Sequence, residues 1–143
     1  MKIYVSTIVE KDNKYLLIRE AKDSCYGKWN IPSGRVEENE YILNAAVREI
    51  KEETNLDVDL TGLISVYNNM FDGFNSIAFI FVSNITKLNS IEFEKKEILE
   101  AKWFSLDELK NMKDELRDYE YITNSIEKLI KKDIKPLDTI IVR

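Results

Sequence analysis

Glutamates recur in the stretch from Gly34 to Leu56, and three of them stand close together near its end. On a helix over residues 40–54, at about 100° per residue, Glu49, Glu52 and Glu53 fall on one face. The helix also has an apolar stripe next to this face, which predicts packing on a core. The stripe consists of Leu43, Val47 and Ile50. The acidic face therefore borders the buried face, where a cleft is expected.

This arrangement of carboxylates lowers the stability of the helix. Glu49 and Glu53 are four residues apart, a spacing at which like charges repel by roughly 0.2–0.5 kcal/mol. The glutamates also lie in the last turns, where the helix dipole favours cations. Arg48 offsets part of the repulsion, because it reaches Glu52 and can pair with Glu49. Clustered oxygen ligands suit Mg²⁺ or Mn²⁺. A solvated charged face is the alternative in a chain that is 33% charged.

The full spacing of the stretch is more specific than the helix face alone. It reads Gly34, five residues, Glu40, seven residues, and then REIKEETNL over residues 48–56. This pattern resembles the signature of the Nudix (MutT-like) hydrolases, which reads G, five residues, E, seven residues, R-E-apolar-x-E-E-x-G-apolar. One position departs, since Asn55 stands where the family has its last glycine. Asparagine is the next-best residue for a left-handed helix end.

The resemblance implies a single Nudix domain over residues 1–143. The implied fold class is α/β (α+β), an α/β/α sandwich with a mixed sheet. The implied reaction is attack of water on a phosphorus of a diphosphate linked to another group. The substrate would be a nucleoside di- or triphosphate or a similar small diphosphate, and the cofactor Mg²⁺ or Mn²⁺. Such ions offset phosphate charge and lower the pKa of water, which supplies a nucleophile.

The resemblance also assigns roles within the signature. Glu49, Glu52 and Glu53 are implied metal ligands, and Glu49 is either a ligand or the general base. Arg48 would complete the catalytic set by orienting the glutamates through charge-assisted hydrogen bonds, or it would be purely structural. Glu40 is either a neighbour of the metal through water or a structural partner.

Two further metal ligands are implied outside the acidic helix. They are Ser33, by its backbone carbonyl, and one acid among Glu94, Glu97 and Glu100, of which Glu97 matches the family position best. A solvent-facing charge is the alternative for Glu97. Gly34 is expected to let the chain bend sharply beside the ions.

Substrate recognition is less specified by the sequence. Arg19 is a candidate for phosphate contact, and Trp29 and Phe71 for stacking on a nucleobase. For the rings the alternative is core or loop packing, and for Arg19 a surface charge. Two other functions compete with hydrolysis. A Nudix-fold module that binds a nucleotide without turnover would usually lose signature glutamates, and all four are present. The second is isomerisation of a prenyl diphosphate on a related fold. That reaction needs an acid–base pair, and the sequence has no evident counterpart of its usual cysteine member.

Composition excludes several other classes of protein. The chain has 143 residues, no histidine and one cysteine. Histidine-dependent triads and histidine-ligated zinc are therefore absent. The net charge of −5 argues against a nucleic-acid polymer as partner, and no apolar run predicts a membrane span. Cys25 alone fits a reducing cytoplasm. The apolar tail is compatible with a homodimer.

Hydrophobic periodicity predicts the elements that position these residues. Helix 40–54 is expected to be capped by Asn39, and helix 106–112 by Ser105. The segment 68–75 is expected to be a loop. The remaining expectations are strands at 2–10, 15–19, 56–67 with an interruption near 61–62, 76–85, 101–104 and, at an edge, 139–142; and a helix at 119–132.

Overall fold

The structure is a computed structural model that describes residues 1–143. It contains a seven-stranded mixed sheet and three α-helices. The strands are β1 (Lys2–Lys11), β2 (Lys14–Glu20), β3 (Trp29–Asn30), β4 (Ser33–Arg35), β5 (Asp57–Phe71), β6 (Phe74–Lys87) and β7 (Ile98–Phe104). The helices are α1 (Ile42–Thr54), α2 (Leu106–Lys110) and α3 (Tyr119–Ile130), with short 3₁₀ turns at Asp23–Cys25, Lys113–Glu115 and Leu137–Thr139.

Strand β1 connects the two parts of the sheet. It runs parallel to β6 and antiparallel to β4, and β5 pairs with β6 antiparallel. Its far end forms a hairpin with β2, and β2 lies between β3 and β7 because Ile18 pairs with residues of both. The signature loop, which includes β4, is therefore paired directly to the central strand.

The two faces of the sheet bury different helices. Along β1, Val5 and Val9 cluster with residues of α1, whereas Ile8 clusters with residues of α3. Successive side chains of a strand point to opposite faces, so α1 and α3 cover opposite sides. This confirms the predicted α/β/α sandwich with a mixed sheet. None of the helices is both long and apolar enough to cross a bilayer.

Helix α1 begins later than predicted and ends where predicted. Its N-cap is Tyr41, and the expected cap, Asn39, instead has a φ of 63° in a left-handed turn. The prediction was wrong because Glu40 lies outside the helix, where its carboxylate accepts the Glu37 backbone N–H at 3.1 Å. At the other end, Asn55 adopts the left-handed conformation with a φ of 67°.

The segment 68–75 is not a loop. Strands β5 and β6 continue through it to a tight turn at Asp72–Gly73, whose φ values are 48° and 77°. Positive φ at both central residues is typical of hairpin turns that match strand twist. The register shifts between Leu60 and Gly62, near the predicted interruption.

The remaining elements differ from the predictions mainly at the C-terminus. Ser105 caps α2 through a capping box, and α3 forms where its apolar spacing predicts it. The predicted edge strand at 139–142 is absent. Its first residue ends a 3₁₀ turn at Leu137–Thr139, and Leu137 and Ile140 pack beside α1.

Candidate active site

A cleft of about 810 Å³ opens along the acidic face of α1. Its walls come from α1, from the segment 33–38, from the loop that holds residue 22 and from residues 94–98, which lead into β7. Seven of its lining side chains are acidic and three are basic. The acidic ones are Glu37, Glu38, Glu49, Glu52, Glu53, Glu94 and Glu97, and the basic ones are Lys22, Arg35 and Arg48. The surface is thus poorly suited to phosphate unless cations accompany it.

Arg48 organises the signature glutamates. Its Nε donates to Glu40 Oε2 at 2.6 Å and its Nη2 to Glu40 Oε1 at 3.0 Å, a bidentate pair. Its Nη1 donates to Glu49 at 2.9 Å and to Glu52 at 3.1 Å. The hydrogen bond from Arg48 holds the pKa of Glu40 below its usual value. The geometry of Glu40 is thus that of a structural partner of Arg48.

Glu53 has no basic side chain within hydrogen-bonding or ion-pair distance. Its Oε1 accepts the Ser33 backbone N–H at 2.8 Å. Burial raises the pKa of Glu53 well above its usual value, and the charge of Glu49 raises it further. Burial also raises the pKa of Glu49, against the opposing effect of Arg48. Two neighbouring carboxylates in a partly desolvated site are stabilised most simply by a cation from outside the chain.

Gly34 supplies space rather than a bend. It lies in β4, where it pairs with Val5, and it is absent from the residues with positive φ. The predicted sharp bend is therefore wrong. A Cβ atom built on Gly34 would collide with the carboxyl group of Glu49. The glycine is needed because that carboxyl group occupies the space of a side chain.

The donors in the cleft fit Mg²⁺ or Mn²⁺. Glu49, Glu52, Glu53, Glu97 and Ser33 all line it, and each offers the hard oxygen that these ions prefer. The carboxylates are not already grouped at distances that would hold a metal ion. Two of the proposed ligands, Glu49 and Glu52, are instead hydrogen-bonded to Arg48. The fit therefore depends on donor chemistry, on the absence of a basic partner for Glu53 and on the place that Gly34 leaves for the Glu49 carboxyl group.

The three residues predicted to contact substrate do not line this cleft. Trp29 is buried in the core, edge-on to Phe104 with ring centroids 4.9 Å apart. Phe71 is 79% exposed at the tip of the β5–β6 hairpin. Arg19 donates to the Gly27 carbonyl at 3.0 Å and lies 3.9 Å from Glu100. Their substrate contact remains a prediction.

Two basic residues in the cleft were missed by sequence reasoning. Arg35 directly follows Gly34, so its place next to the signature was a usable signal. Lys22 precedes the signature by twelve residues, and only the pairing of β2 with its neighbours brings it there. No local pattern marks Lys22, because its position depends on tertiary structure.

An α/β/α sandwich with an acidic helix beside the signature loop is the arrangement that the Nudix resemblance implies. The chain belongs to the Nudix family, since the family model described as NUDIX domain matches residues 2–124. A structure described as a NUDIX hydrolase from Nitrosomonas europaea superimposes with a TM-score of 0.89 at 27% identity, covering 99% of this chain and 97% of that one.

Curated relatives carry several names within the family. A Caenorhabditis elegans protein named as a nudix hydrolase is 38% identical over 129 residues, 90% of this chain and 34% of its own length. The human 8-oxo-dGDP phosphatase NUDT18 is 33% identical over 71% of this chain and 31% of its own. An ADP-ribose pyrophosphatase from Methanocaldococcus jannaschii is 43% identical over 47% of this chain and 40% of its own. The chain spans about a third of the length of the first two.

Proposed function

We propose that residues 1–143 form a single Nudix domain that hydrolyses a diphosphate bond with the help of Mg²⁺ or Mn²⁺. The observation that carries the proposal is Glu53, a carboxylate with a raised pKa, no basic partner and a place beside Glu49 in the cleft. Such a carboxylate lowers stability unless a cation joins it. Divalent cations are also what a diphosphate needs in a cleft lined mainly by acids.

In this proposal Glu53, Glu49 and Glu52 hold the metal, with Ser33 and Glu97 as further oxygen donors. The metal supplies Lewis-acid stabilisation of phosphoryl charge and acidifies water. Arg48 keeps Glu49 and Glu52 in place through one guanidinium nitrogen and is itself anchored on Glu40. Water forms a bond to phosphorus as the bridging P–O bond breaks, and the two products each carry a phosphate group.

A nucleoside diphosphate or a diphosphate linked to a nucleoside is the proposed substrate class. The names of two relatives support it, because 8-oxo-dGDP and ADP-ribose both contain a nucleoside diphosphate group. A catalytically silent nucleotide-binding module is the alternative. The complete acidic signature disfavours that alternative.

The test is chromatographic detection of the phosphate-containing products that the purified chain forms with Mg²⁺, with Mn²⁺ and with chelator. The substrate panel includes nucleoside di- and triphosphates, oxidised purine nucleotides, ADP-ribose, dinucleoside polyphosphates and nucleotide sugars. We expect metal-dependent turnover of one class. Thermal stabilisation by a nucleotide with no turnover of any panel member would overturn the hydrolase proposal in favour of the binding module.

A further inference from the structure

The three basic side chains of the cleft differ in how much of their charge is already used. Arg48 is engaged by Glu40, Glu49 and Glu52. Lys22 is exposed at the cleft and makes no hydrogen bond or ion pair through its side chain. An unpaired ammonium among seven carboxylates is a compact point charge that keeps its capacity to bind an anion.

Lys22 is close enough to the proposed metal ligands for its charge to act on both. Its ammonium lowers the pKa of Glu49 and of Glu53, against the larger effect of burial. Arg35 also lines the cleft but belongs to β4, within the signature, whereas Lys22 comes from the separate loop that follows β2. Lys22 is therefore the unpaired cation that the loop after β2 contributes to the acidic cleft.

The backbone around Lys22 is fixed on several sides. The Ala21 N–H donates to the Glu97 carbonyl at 3.0 Å, and the Cys25 N–H donates to the Lys22 carbonyl at 3.1 Å. The Gly27 N–H donates to the Glu20 carbonyl at 2.8 Å. The loop thus holds the backbone of Lys22 at the cleft wall, so that mainly the entropy of its side chain is lost when a ligand binds.

A buried carboxylate anchors the base of this loop. The Glu20 side chain is 6% exposed. Its Oε2 accepts hydrogen bonds from the Cys25 thiol at 2.7 Å and from Arg117 Nη1 at 2.8 Å. These contacts tie the loop to its own 3₁₀ turn and to the segment before α3.

We propose that Lys22 contacts the phosphate groups of the bound substrate from the loop side of the cleft, across from the carboxylates of α1. This inference rests on the proposed function for the identity of the substrate. In it, Lys22 binds phosphate oxygens directly, and Glu20 anchors the base of its loop. Lys22 thus supplies the direct protein–phosphate contact that the metal ligands do not.

The test compares Lys22→Met, Lys22→Arg and Lys28→Met. Lys28 is a matched control, because it belongs to the same loop but binds the Asp114 carbonyl and does not line the cleft. Binding of inorganic pyrophosphate with Mg²⁺ is measured by calorimetry, and Mg²⁺ binding is measured alone. Steady-state kinetics follow on whichever panel substrate the wild type hydrolyses.

We expect Lys22→Met to weaken pyrophosphate binding by about tenfold to a hundredfold, as for the loss of a hydrogen bond to a charged group. The KM should rise more than kcat falls. Lys22→Arg should recover most of the affinity, and Lys28→Met should stay within about twofold of wild type, as for an exposed charge outside the cleft. Mg²⁺ binding alone should not weaken in Lys22→Met.

Unchanged pyrophosphate binding in Lys22→Met would overturn the proposal. An increase in Mg²⁺ affinity without a loss of pyrophosphate affinity would also overturn it, because Lys22 would then only moderate the acidic centre. Equal losses in Lys22→Met and Lys22→Arg would refute an electrostatic contact. If the wild type hydrolyses nothing, the proposed function fails, but the pyrophosphate comparison still decides the role of Lys22.

Discussion

Glu20 and Glu53 lie close enough in the fold for the charge of Glu20 to raise the pKa of Glu53. The two carboxylates are compensated in different ways. Glu20 is almost fully buried and is paired with Arg117 at 2.8 Å. Glu53 receives one backbone N–H from Ser33, and its pKa is raised by burial and by Glu49. Where the chain supplies the cation, the carboxylate supports structure. Where it supplies none, the carboxyl group either keeps a proton or binds a cation from outside, and the second case is the one proposed for Glu53.

The largest expected effect comes from removing the charge of Glu53. Glu53→Gln under saturating Mg²⁺ should lower kcat/KM by more than about a hundredfold, because loss of a direct ligand should exceed the 10–100-fold typical of outer-shell partners. The fold should remain intact or become more stable, since repulsion with Glu49 is relieved. Kinetics on the panel substrate, together with thermal unfolding, measure both. Full activity would refute the metal assignment and remove the contrast with Glu20.

The next effect comes from removing the cation that Glu20 possesses. Arg117→Ala should lower the free energy of unfolding by about 1.5–3 kcal/mol, the value of a hydrogen bond to a charged group. Because Arg117 is itself 46% exposed, the lower end is expected. Denaturant unfolding measures the loss.

Two variants check that this loss comes from Glu20. Lys110→Ala breaks an exposed pair with Glu127 and should cost less than about 0.5 kcal/mol. Glu20→Gln combined with Arg117→Ala should cost less than the two single changes added, because a neutral amide leaves no buried charge. Simple additivity would mean that the two side chains do not stabilise each other.

A third effect distinguishes the two kinds of carboxylate by the sign of a pH dependence. The pKa of Glu53 is raised above its usual 4.5, so without metal the folded state keeps a proton that the unfolded state releases. The free energy of unfolding therefore falls as pH rises from about 4.5 through the folded pKa. The pKa of Glu40 is lowered, so its contribution is present above about 4.5 and is lost as pH falls through its folded pKa.

Unfolding measured with chelator across this pH range tests the two signs. Glu53→Gln should reduce the fall above pH 4.5 and leave the share of Glu49, whose pKa is also raised, and Glu40→Gln should reduce the change below pH 4.5. Excess Mg²⁺ should restore stability at pH 8 in the wild type, by about 2.7 kcal/mol at a hundred times Kd. A wild type whose stability rises with pH above 4.5 without metal would contradict the raised pKa of Glu53.

The sequence was most informative where a function depends on short spacing. The α1 face, the pairing of Arg48 with Glu49 and Glu52, and the left-handed Asn55 follow from local geometry, and the structure has all three. It was less informative where a long-range contact decides the outcome. Trp29 looks like a stacking ring in sequence, but pairing of β3 with β2 buries it.

Two structural expectations were wrong, one for a local and one for a non-local reason. The β5–β6 hairpin was missed although the Asp72–Gly73 pair was visible, because the polar residues around it masked the strand pattern. The role of Gly34 was misassigned because the collision that excludes a side chain there involves Glu49, fifteen residues away. Backbone freedom is inferred from residue type, whereas space is a property of the folded chain.

The smallest expected effect comes from Asn55, which ends α1. It tests whether the end of the helix influences the glutamates that the helix carries. Asn55→Gly keeps the left-handed conformation, which glycine adopts freely. The asparagine side chain, however, donates to the Ser90 carbonyl at 3.1 Å and to Glu92 at 3.2 Å. The variant should therefore lose about 0.5–1.5 kcal/mol of stability and keep its turnover, because none of these partners lines the cleft. Parallel unfolding and kinetics give the two values. A tenfold loss of kcat with unchanged stability would show that the loop at 87–92 influences the position of the α1 carboxylates. The difference between Glu53 and Glu20 would then depend on this loop as well as on the residues that contact each glutamate.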